Sequence, residues 1–493
     1  MQNGTLLAAV DLGSNSFRLE IGRFQSGHIE RVEYLKETVR QGSGLDENKL
    51  LNEAALQRGW DCLARFGERL QGFRKQQVRA VATQTLREAR NRDEFLRKAK
   101  DILGFGIEVI SGQEEARLIY QGVTHLLPQS DERRLVVDIG GRSTEMISGQ
   151  GYVANQMESY RLGSVAWSGR YFPKGQLTAE AFRTAEIAAK AVLDQALDLF
   201  PPSSWDVAYG SSGTVGAVAE ALTANGWPAG EVTRDGLDWL LERLIKAGHV
   251  DQLKLDGMKE DRRPVIGGGV SVLRAVFDLF GIQTMIPAQG ALRQGALYDL
   301  IDRDSVGGDV RERTVRWLSD RFSVDAAQAQ RVSEVATALF AQVATGDTHE
   351  RFSQKLAWAA RLHEIGTHIS HERSYHHGAY ILDNVDAPGF SFPELHRMSQ
   401  LVLGQRGKLR KLEIELNDEL FAKQLICLRL AVILCHARRM PKHDELRLSM
   451  RSGGFKLASP PGWAKQFPQS AWLLGEEVSA WQKTGWKFAA DLR

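Results

Sequence analysis

Strand-length apolar runs alternate with segments of helical period through the first 300 residues. From Leu6 to about Leu127 the order is strand, hairpin, strand, helix, strand, helix, strand, helix, and a second round begins at Leu135. This alternation is typical of an α/β fold. The predicted helices are 52–70, 86–102, 113–122, 179–199, 215–222, 270–280 and 290–301, and the predicted strands include 78–82, 107–110 and 206–209.

The pattern changes near residue 310. The stretch 302–310 is polar and carries glycine, so we predict the main linker there. Residues 311 to about 440 read as almost continuous amphipathic helix. The tail carries the strand-like runs LRLSM and GFKLA and several Trp, for which core packing is the favoured role. We therefore predict four parts, which are 1–127, 128–303, 311–440 and 441–493.

Two segments, AVDLGSNSFRLEIG from Ala9 and VVDIGGRSTEMISG from Val136, repeat one pattern in which an apolar strand runs into a polar turn. Turns of Gly, Ser and Asn can point backbone N–H groups and hydroxyls into one concavity, which favours an anion. An Asp at the strand end suits Mg²⁺. One such turn is more often only a hairpin, but two in register predict a paired phosphate site. The predicted phosphate-binding residues are Asp11, Gly13, Ser14, Asn15, Ser16, Gly140, Gly141, Ser143 and Thr144, with Asp138 and Asp11 as Mg²⁺ ligands.

Composition narrows the function classes only slightly. The 493 residues are 43% hydrophobic, and 63 Lys and Arg face 61 Asp and Glu, so no global field would recruit nucleic acid or a membrane. Three cysteines without CxxC spacing predict neither a disulfide framework nor a zinc cluster. The start has no basic leader and no apolar run of about 18 residues is visible, so we expect a cytoplasmic protein that does not span a membrane.

Six motifs in order carry a family resemblance, namely DLGSNSF, VATQTLREA, ISGQEEARLIYQGV, VVDIGGRSTE, GSSGTV and HEIG. The chain resembles the exopolyphosphatase and guanosine-pentaphosphate phosphatase family of the acetate kinase, sugar kinase, Hsp70 and actin superfamily. The resemblance covers most of the chain. It implies two actin-like (ribonuclease H-like) αβ lobes that face each other across a cleft, then a mostly α-helical HD-like domain and a small C-terminal α+β segment.

The motif ISGQEEARL predicts a helix start with two carboxylates. Ser111 and Glu114 have capping-box spacing, so Glu114 is expected to fold back on the helix start. Glu115 is then free in the first turn, where the helix dipole should keep it ionised and able to accept a proton. The family resemblance makes Glu115 the general base that orients the attacking water. The alternative is that both glutamates only favour the helix N-terminus.

The motif VATQTLREA repeats this spacing. Thr85 and Glu88 predict a second capping box, which places Arg87 in a first helical turn where a nearby anion would offset the unfavourable dipole. The resemblance implies that Arg87 binds phosphate, and the alternative is a plain salt bridge to a neighbouring carboxylate.

Arg142 departs from the family pattern, which most often has glycine or alanine there. Its guanidinium either grips phosphate bidentately or points to solvent, and the sequence favours neither. Glu145, a few residues later, is expected to point away from Asp138 as a strand-face residue.

Further candidates follow in the second lobe. Ser212, Gly213 and Thr214 lie where a strand should open into a helix, an arrangement that either binds an anion or allows close packing. Arg262 matches a family arginine near the cleft, with a solvated loop charge as the alternative. The triple glycine after Ile266 departs from the family's usual nucleotide-pocket segment, which leaves base binding open.

The helical region contains histidines and a run of basic residues. We expect the histidines to serve packing or helix ends rather than metal, because His363-Glu364 stands where a metal-binding HD fold has His-Asp. The basic residues either form a track for a long phosphate chain or a solvated face. The histidines are His363, His368, His371, His376 and His377, and the basic residues are Lys408, Arg410, Lys411, Arg438, Arg439, Lys442 and His443.

The resemblance implies hydrolysis of a terminal phosphoanhydride with Mg²⁺ as cofactor. Our main expectation is an exopolyphosphatase that removes orthophosphate processively from inorganic polyphosphate. The alternative is the same chemistry on guanosine 5′-triphosphate 3′-diphosphate (pppGpp), which the motifs do not separate. Two other classes stay open, a nucleotide-binding sensor with little turnover and a sugar kinase. A homodimer is the expected assembly.

Overall fold

The computed structural model describes all residues except 26, 129, 305–308, 345–348, 386, 413–414, 452 and 493. It divides into two compact units, Met1–Asp309 and Val310–Arg493. The predicted linker thus falls at the boundary between the units, although residues 305–308 of it lie outside the described part. The predicted division into four parts stays a prediction.

The first half of unit one forms a five-stranded sheet in the order β3-β2-β1-β4-β5. β1 pairs antiparallel with β2 and parallel with β4, which places the β1–β2 turn and the β4–α2 connection at the same edge. Its strands are β1 Leu6–Leu12, β2 Phe17–Gln25, β3 His28–Glu37, β4 Val78–Ala82 and β5 Ile107–Val109, and its helices are α1 Glu53–Arg69, α2 Gln84–Glu88, α3 Arg92–Leu103 and α4 Gly112–Thr124.

The second half repeats this topology in a six-stranded sheet, β10-β11-β9-β6-β7-β8, in which β6 again pairs antiparallel with the next strand and parallel with β9. The sequence duplication is therefore a duplication of sheet order. Its strands are β6 Arg133–Ile139, β7 Thr144–Gln150, β8 Val153–Tyr160, β9 Val207–Ser211, β10 Val232–Thr233 and β11 Thr284–Pro287, and its helices are α5 Ser164–Tyr171, α6 Ala179–Leu193, α7 Ala196–Leu199, α8 Ser212–Ala224, α9 Arg234–Ala247, α10 Ile266–Phe280 and α11 Leu292–Asp304.

Two equivalent helices, α4 and α11, join the halves. Buried residues of α4 share a core with Val136 and Ile147 of the second sheet, whereas Leu297 of α11 shares a core with Leu7 and Ala9 of the first. The two helices also pack directly on each other, because a Cβ at Gly295 of α11 would clash with the backbone of α4. Helix α4 of the first half therefore packs on the second sheet, and α11 of the second half packs on the first sheet.

The predicted helix 86–102 is wrong as one element, because it breaks between α2 and α3. At the break the Asn91 side chain donates to the Leu51 carbonyl at 3.0 Å and accepts from its N–H at 2.9 Å. The Arg90 N–H donates to the carbonyl of Lys49 at 2.8 Å. These partners lie 40 residues away in sequence, so helical periodicity carries no sign of them. The predicted helix 179–199 likewise divides into α6 and α7.

Unit two is mostly helical, as predicted, and ends in a small sheet in the order β12-β13-β14. One apolar core contains residues of the helices and of the tail, including the fully buried Trp358 and Trp481. The predicted core role of the tail's tryptophans is confirmed for Trp463 and Trp481, whereas Trp472 is exposed. The elements are α12 Val310–Arg321, α13 Ala326–Val343, α14 His349–Arg361, α15 Ser374–Asn384, α16 Phe392–Gly404, α17 Glu419–Leu434, β12 Arg447–Arg451, β13 Gly454–Ala458, α18 Trp463–Gln466, α19 Pro468–Trp481 and β14 Lys487–Asp491.

Across the described residues, no helix combines the length and apolar character needed to cross a bilayer.

Candidate active site

The two repeated turns line one cleft in unit one. With its open mouth the cleft measures about 740 Å³. The turns therefore face the same space, as the sequence predicts. The predicted residues on its wall are Asp11, Gly13, Ser14, Asn15, Ser16, Glu115, Asp138, Gly140, Gly141, Arg142, Ser143, Ser212, Thr214 and Arg262.

The turns have the same local geometry. The strand pairing closes at Leu12 with Phe17 and at Ile139 with Thr144, so each turn has four residues. A Cβ at Gly13 would lie 3.0 Å from the Ser16 carbonyl oxygen, and the equivalent distance for Gly140 and Ser143 is 3.1 Å. The first glycine of each turn therefore meets the same close approach of backbone, where a side chain would be crowded.

The tips of the turns lie against each other. A Cβ at Gly141 would lie 3.4 Å from the Cβ of Ser14, and Thr85 donates its hydroxyl hydrogen to Ser14 Oγ at 2.8 Å. Two further segments support the tips, since the Gly42 N–H donates to the Ser14 carbonyl and the Val165 N–H donates to the Gly141 carbonyl. Each turn is thus fixed by its own half of unit one.

Several buried donors at the cleft lack a hydrogen-bond partner among the described residues. They are Ser16 Oγ, Arg18 Nε and Arg142 Nε. A buried donor without a partner costs about 1–3 kcal/mol, so an anion that accepts from these groups would be favoured. Donors of both turns are in this state, which fits a multiply charged ligand held between them.

Glu115 lies in the first turn of α4, as predicted, and lines the cleft. Arg87 donates from Nη1 to Glu115 Oε2 at 2.7 Å and to the Ile110 carbonyl at 3.0 Å. Burial raises the pKa of Glu115, Arg87 acts against this rise, and the negative charges of Asp11 and Asp138 add to it. The helix dipole is therefore not the only influence on the charge of Glu115, and its ionised state stays a prediction.

Neither predicted capping box forms in full. The Glu114 N–H donates to Ser111 Oγ at 3.0 Å, but the Glu114 carboxylate turns to Arg79 and Arg117 at 2.9 and 2.7 Å. At the other site Thr83, not Thr85, precedes α2, which places Arg87 in the last turn of this short helix. The predicted dipole argument for Arg87 is therefore wrong. Its surroundings are explained by the ion pair with Glu115, which was the plainer alternative.

Asp138 and Asp11 end equivalent strands and both line the cleft. Burial raises the pKa of Asp138, the Ser211 hydroxyl that donates to Oδ2 at 2.6 Å lowers it, and the charge of Asp11 raises it further. A cation between these carboxylates would relieve that repulsion. The described residues hold no group of three His, Cys, Asp or Glu side chains arranged for a metal. Two carboxylates still fit Mg²⁺, which usually keeps several waters and binds one or two carboxylates together with substrate phosphates.

The prediction for Glu145 is wrong. In the antiparallel pair β6–β7 it lies directly opposite Asp138, so both side chains point to the same face. Glu145 is buried and accepts a hydrogen bond from Ser159 Oγ at 2.7 Å. Burial raises its pKa well above the usual range, and the charges of Glu115 and Asp138 reinforce the rise. Three carboxylates therefore meet beside the cleft.

The predicted solvent-facing position of Arg142 is wrong, whereas its grip on phosphate stays a prediction. It reaches from the second turn to the first half of unit one, where Nη2 lies 3.1 Å from Glu88 Oε2 and Nη1 donates to the Gly42 carbonyl at 3.2 Å. Its side chain is one-quarter exposed. It is therefore neither a free solvent-facing charge nor bound only to the cleft, but bridges the two halves of the unit.

Thr144, Gly213 and Arg87 do not belong to the wall of the main cleft, although the sequence places them in the phosphate site. Thr144 is buried in β7 and donates its hydroxyl hydrogen to the Leu162 carbonyl at 2.5 Å. Arg87 reaches the cleft only through Glu115. Phosphate binding by the Thr144 hydroxyl is not supported, because Thr144 is the first residue of β7 and its hydroxyl is bonded to the Leu162 carbonyl.

The connection from β9 to α8 begins a helix at the cleft, as predicted. Ser212 has a φ of 76°, a left-handed conformation that is strained for a residue other than glycine. The Thr214 hydroxyl donates to the Ile139 carbonyl at 3.0 Å. The Arg262 guanidinium packs on Gly213, where any Cβ would clash with it, and burial lowers the pKa of Arg262. Both close packing and a cation at the wall therefore occur here.

Arg18 and Arg293 also line the cleft, and sequence reasoning missed both. Their Nη1 atoms lie 3.4 and 3.5 Å from Asp11 Oδ2. Arg18 could have been found, because a four-residue turn puts it directly opposite Asp11 in the hairpin. Arg293 carries no comparable signal, since only the packing of α11 brings it to β1.

The predicted histidine and basic residues lie in unit two. His363 is buried, Nδ1 lies 2.7 Å from the Ala360 carbonyl, and burial lowers its pKa. Arg438 forms ion pairs with Asp325 and Glu364 at 2.7 and 2.9 Å. Lys411 lies over the ring of Tyr375, and burial lowers its pKa to about 8. Parts of the basic run thus already have partners within unit two.

Comparison with known proteins agrees with this geometry. Residues 21–304 match the Ppx/GppA phosphatase family, and residues 310–478 match Ppx/GppA phosphatase, domain III. A guanosine-5′-triphosphate,3′-diphosphate pyrophosphatase of Photobacterium profundum is 39% identical over 99% of this chain and 98% of its own length. A protein of the same name from Vibrio atlanticus is 39% identical over 98% of this chain and 97% of its own.

Solved structures are similar at lower identity. An exopolyphosphatase from Cytophaga hutchinsonii is 23% identical, with a TM-score of 0.56 over 61% of this chain and 98% of that one. A Ppx/GppA family member from Aquifex aeolicus is 24% identical, with a TM-score of 0.52 over 61% and 99%. These likenesses show the fold alone. They confirm the predicted α/β fold class with its two lobes.

The family model that covers the duplicated α/β fold describes phosphatases, so the fold and its cleft belong to that class. The family matches span nearly the whole chain, and the curated relatives match end to end. The chain belongs to the Ppx/GppA phosphatase family.

Proposed function

We propose that this protein hydrolyses the terminal 5′ phosphoanhydride of pppGpp, which yields ppGpp and orthophosphate. The observation that carries the proposal is the end-to-end match at 39% identity to proteins named for that substrate. This match favours pppGpp as the substrate. The sequence alone had favoured polyphosphate. The exopolyphosphatase likeness concerns a solved structure at 23% identity and supports only the fold.

The cleft residues supply the binding of the phosphates. The two turns offer backbone N–H groups and the buried donors Ser16 Oγ and Arg18 Nε. Arg262 and Arg293 add positive charge at the wall. Fixed donors of this kind stabilise charge on a transferred phosphoryl group without reorganising during the reaction.

Glu115 is the proposed general base. It accepts a proton from water while the water oxygen forms a bond to the terminal phosphorus, and the bond from that phosphorus to the bridging oxygen breaks. The electron pair of that bond leaves with ppGpp, and the terminal phosphoryl group becomes orthophosphate. Burial raises the pKa of Glu115, which suits a base that accepts a proton, and Arg87 opposes the rise and so favours the ionised form.

Asp138 and Asp11 would hold Mg²⁺, which, when bound, neutralises phosphate charge. The two carboxylates end equivalent strands on opposite sides of the cleft and repel each other. The protein's own contribution at this point is to present oxygen ligands from both halves of the unit.

The test measures orthophosphate release by the purified full chain from pppGpp and from long-chain polyphosphate, with Mg²⁺ or with EDTA. We expect the higher kcat/KM for pppGpp and loss of activity in EDTA. A higher kcat/KM for polyphosphate would instead establish exopolyphosphatase activity. Phosphate release with no acceptor present excludes a sugar kinase, and binding of pppGpp without release would establish the sensor.

We further propose a cytoplasmic homodimer, in keeping with the commonness of two-fold assemblies. Analytical ultracentrifugation of the full chain tests the assembly, with a monomer at micromolar concentration as the contrary result.

A further inference from the structure

Glu88 receives two arginines from the opposite half of unit one. Arg142 Nη2 lies 3.1 Å from Oε2, and Arg161 Nε lies 4.0 Å from Oε1. Gln84 also donates to Oε1, at 2.6 Å. One carboxylate between two guanidinium groups leaves one positive charge unbalanced, and the Glu88 side chain is mostly buried.

Arg142 and Arg161 are held together as one structural piece. A Cβ at Gly163 would lie 2.5 Å from the backbone of Gly141 and Arg142. The Ser164 N–H donates to the Gly140 carbonyl at 2.9 Å. The segment that begins at Arg161 is therefore bound along the second turn, and both guanidinium groups approach Glu88 from that segment.

The unpartnered Nε of Arg142 indicates that an anion can bind beside Glu88. Arg142 Nε is buried and has no hydrogen-bond partner among the described residues, although its two Nη atoms are bonded. Arg161, in contrast, is 77% exposed and free to turn toward a ligand. A planar guanidinium that already has fixed neighbours binds phosphate oxygens with high geometric specificity.

We propose that Arg142 and Arg161 form a second anion subsite, which binds an anionic group of the substrate other than the phosphate that is cleaved. Glu88 occupies this position in the absence of that group and gives up one or both arginines to it. The subsite determines specificity, because it favours a substrate with two separate anionic groups over one with a single short phosphate chain. This inference rests on the proposed function of the cleft.

Two sources have the required chemistry, the 3′-diphosphate of pppGpp and a further segment of a long polyphosphate chain. The name of the similar proteins favours the nucleotide, and the contacts described above fit either source. The experiment therefore uses two matched pairs. GTP and pppGpp differ only in the 3′-diphosphate, and tripolyphosphate and long-chain polyphosphate differ only in length.

The test measures dissociation constants by calorimetry in EDTA, where no turnover is expected, for both pairs with the wild type, Arg161→Ala, Arg142→Gln and Glu88→Gln. We expect Arg161→Ala and Arg142→Gln to weaken pppGpp binding about tenfold more than GTP binding, the size of one charge-assisted hydrogen bond. Glu88→Gln should strengthen pppGpp binding, because it removes the competing carboxylate. Arg183→Ala, which removes an exposed arginine of α6, is the control and should leave both constants unchanged.

Equal weakening of GTP and pppGpp by Arg161→Ala and Arg142→Gln, or no weakening by either, would overturn the subsite. Selective weakening of long polyphosphate alone would support the subsite and assign it to the polymer. Because binding is measured without turnover, an absence of phosphate release by the wild type would reject the proposed function separately. A melting scan of each variant identifies any that fail to fold, and Arg161→Ala, at an exposed position, is expected to fold normally.

Discussion

Arg87 and Glu115 form an ion pair of 2.7 Å that joins the end of α2 to the first turn of α4. Glu115 is buried at the cleft wall among other carboxylates, and burial raises its pKa. Arg87 is the charge that most strongly opposes this rise. The pair therefore sets the pH at which the proposed base becomes competent.

Replacing Arg87 should move the acidic limb of the pH–rate profile upward. Glu115 must be deprotonated to accept a proton, so activity falls as pH drops through its pKa. Arg87→Gln removes the cation that lowers this pKa and leaves the burial that raises it. We expect the acidic limb of kcat/KM for pppGpp to shift to higher pH, with kcat reduced at pH 7.

Arg87→Lys is the matched control. It keeps the positive charge but loses the bonds to the Ile110 carbonyl and Gln84, so its limb should shift less than that of Arg87→Gln. Equal pH profiles for the wild type and Arg87→Gln would show that Glu115 does not titrate in the rate-limiting step.

A buried ion network should make a large contribution to stability. Asp299 of α11 lies 2.5 Å from both Arg79 and Arg117, and Arg303 lies at the same distance. Burial alone would raise the pKa of Asp299, but the three arginines outweigh it and hold the pKa well below the usual range. Asp299→Asn removes one of the two buried carboxylates, Asp299 and Glu114, that face Arg79 and Arg117, so we expect the free energy of unfolding to fall by about 3–5 kcal/mol.

Urea denaturation followed by circular dichroism measures this change. Glu220→Gln is the control, because Glu220 forms an exposed pair with Lys259 at 2.8 Å, and the expected change is below about 1 kcal/mol. The sign with pH follows from the lowered pKa of Asp299. Its stabilisation is present above the unfolded-state pKa of about 4 and is lost as pH falls through the folded-state pKa. Similar effects of the two substitutions would contradict a special role for the network.

Gly295 should be intolerant of any side chain. Its added Cβ would clash with the Leu118 carbonyl at the crossing of α4 and α11. Because the backbone of two packed helices must move apart, Gly295→Ala should destabilise the protein by about 3 kcal/mol, the upper end of the usual cost of overpacking. Differential scanning calorimetry measures the shift in Tm.

The control is Gly216→Ala in α8, where no atom lies within 4 Å of the added Cβ. Alanine has a higher helix propensity than glycine, so this change should be neutral or stabilising by up to about 1 kcal/mol. If both substitutions lowered Tm alike, the close approach at Gly295 would not explain its effect.

Much of the cleft could be predicted from sequence because the strand-and-turn pattern is local and duplicated. Asp11 and Asp138 end equivalent strands, and the turns after them face the cleft as expected. The helix from Asn52 to Leu70 was also predictable, since its cap and apolar period lie within the same 19 residues. In these cases the contacts that determine the local structure join residues that are close in sequence.

The failures concern partners that are distant in sequence or set by register. The face of Glu145 depends on its antiparallel partner, which the four-residue turn fixes as Asp138. Arg142 meets Glu88 only after the two halves assemble. Glu114 binds Arg79 and Arg117 rather than the N–H at its helix start, and Arg79 lies 35 residues away in sequence.

The most direct test of the account is orthophosphate release from pppGpp by Glu115→Gln, compared with the wild type under the same Mg²⁺ and pH conditions. Glutamine keeps the shape of the side chain but cannot accept the proton from water, so kcat should fall about 10²- to 10⁴-fold while pppGpp still binds. A Glu115→Gln protein that releases phosphate at the wild-type rate would contradict the central claim.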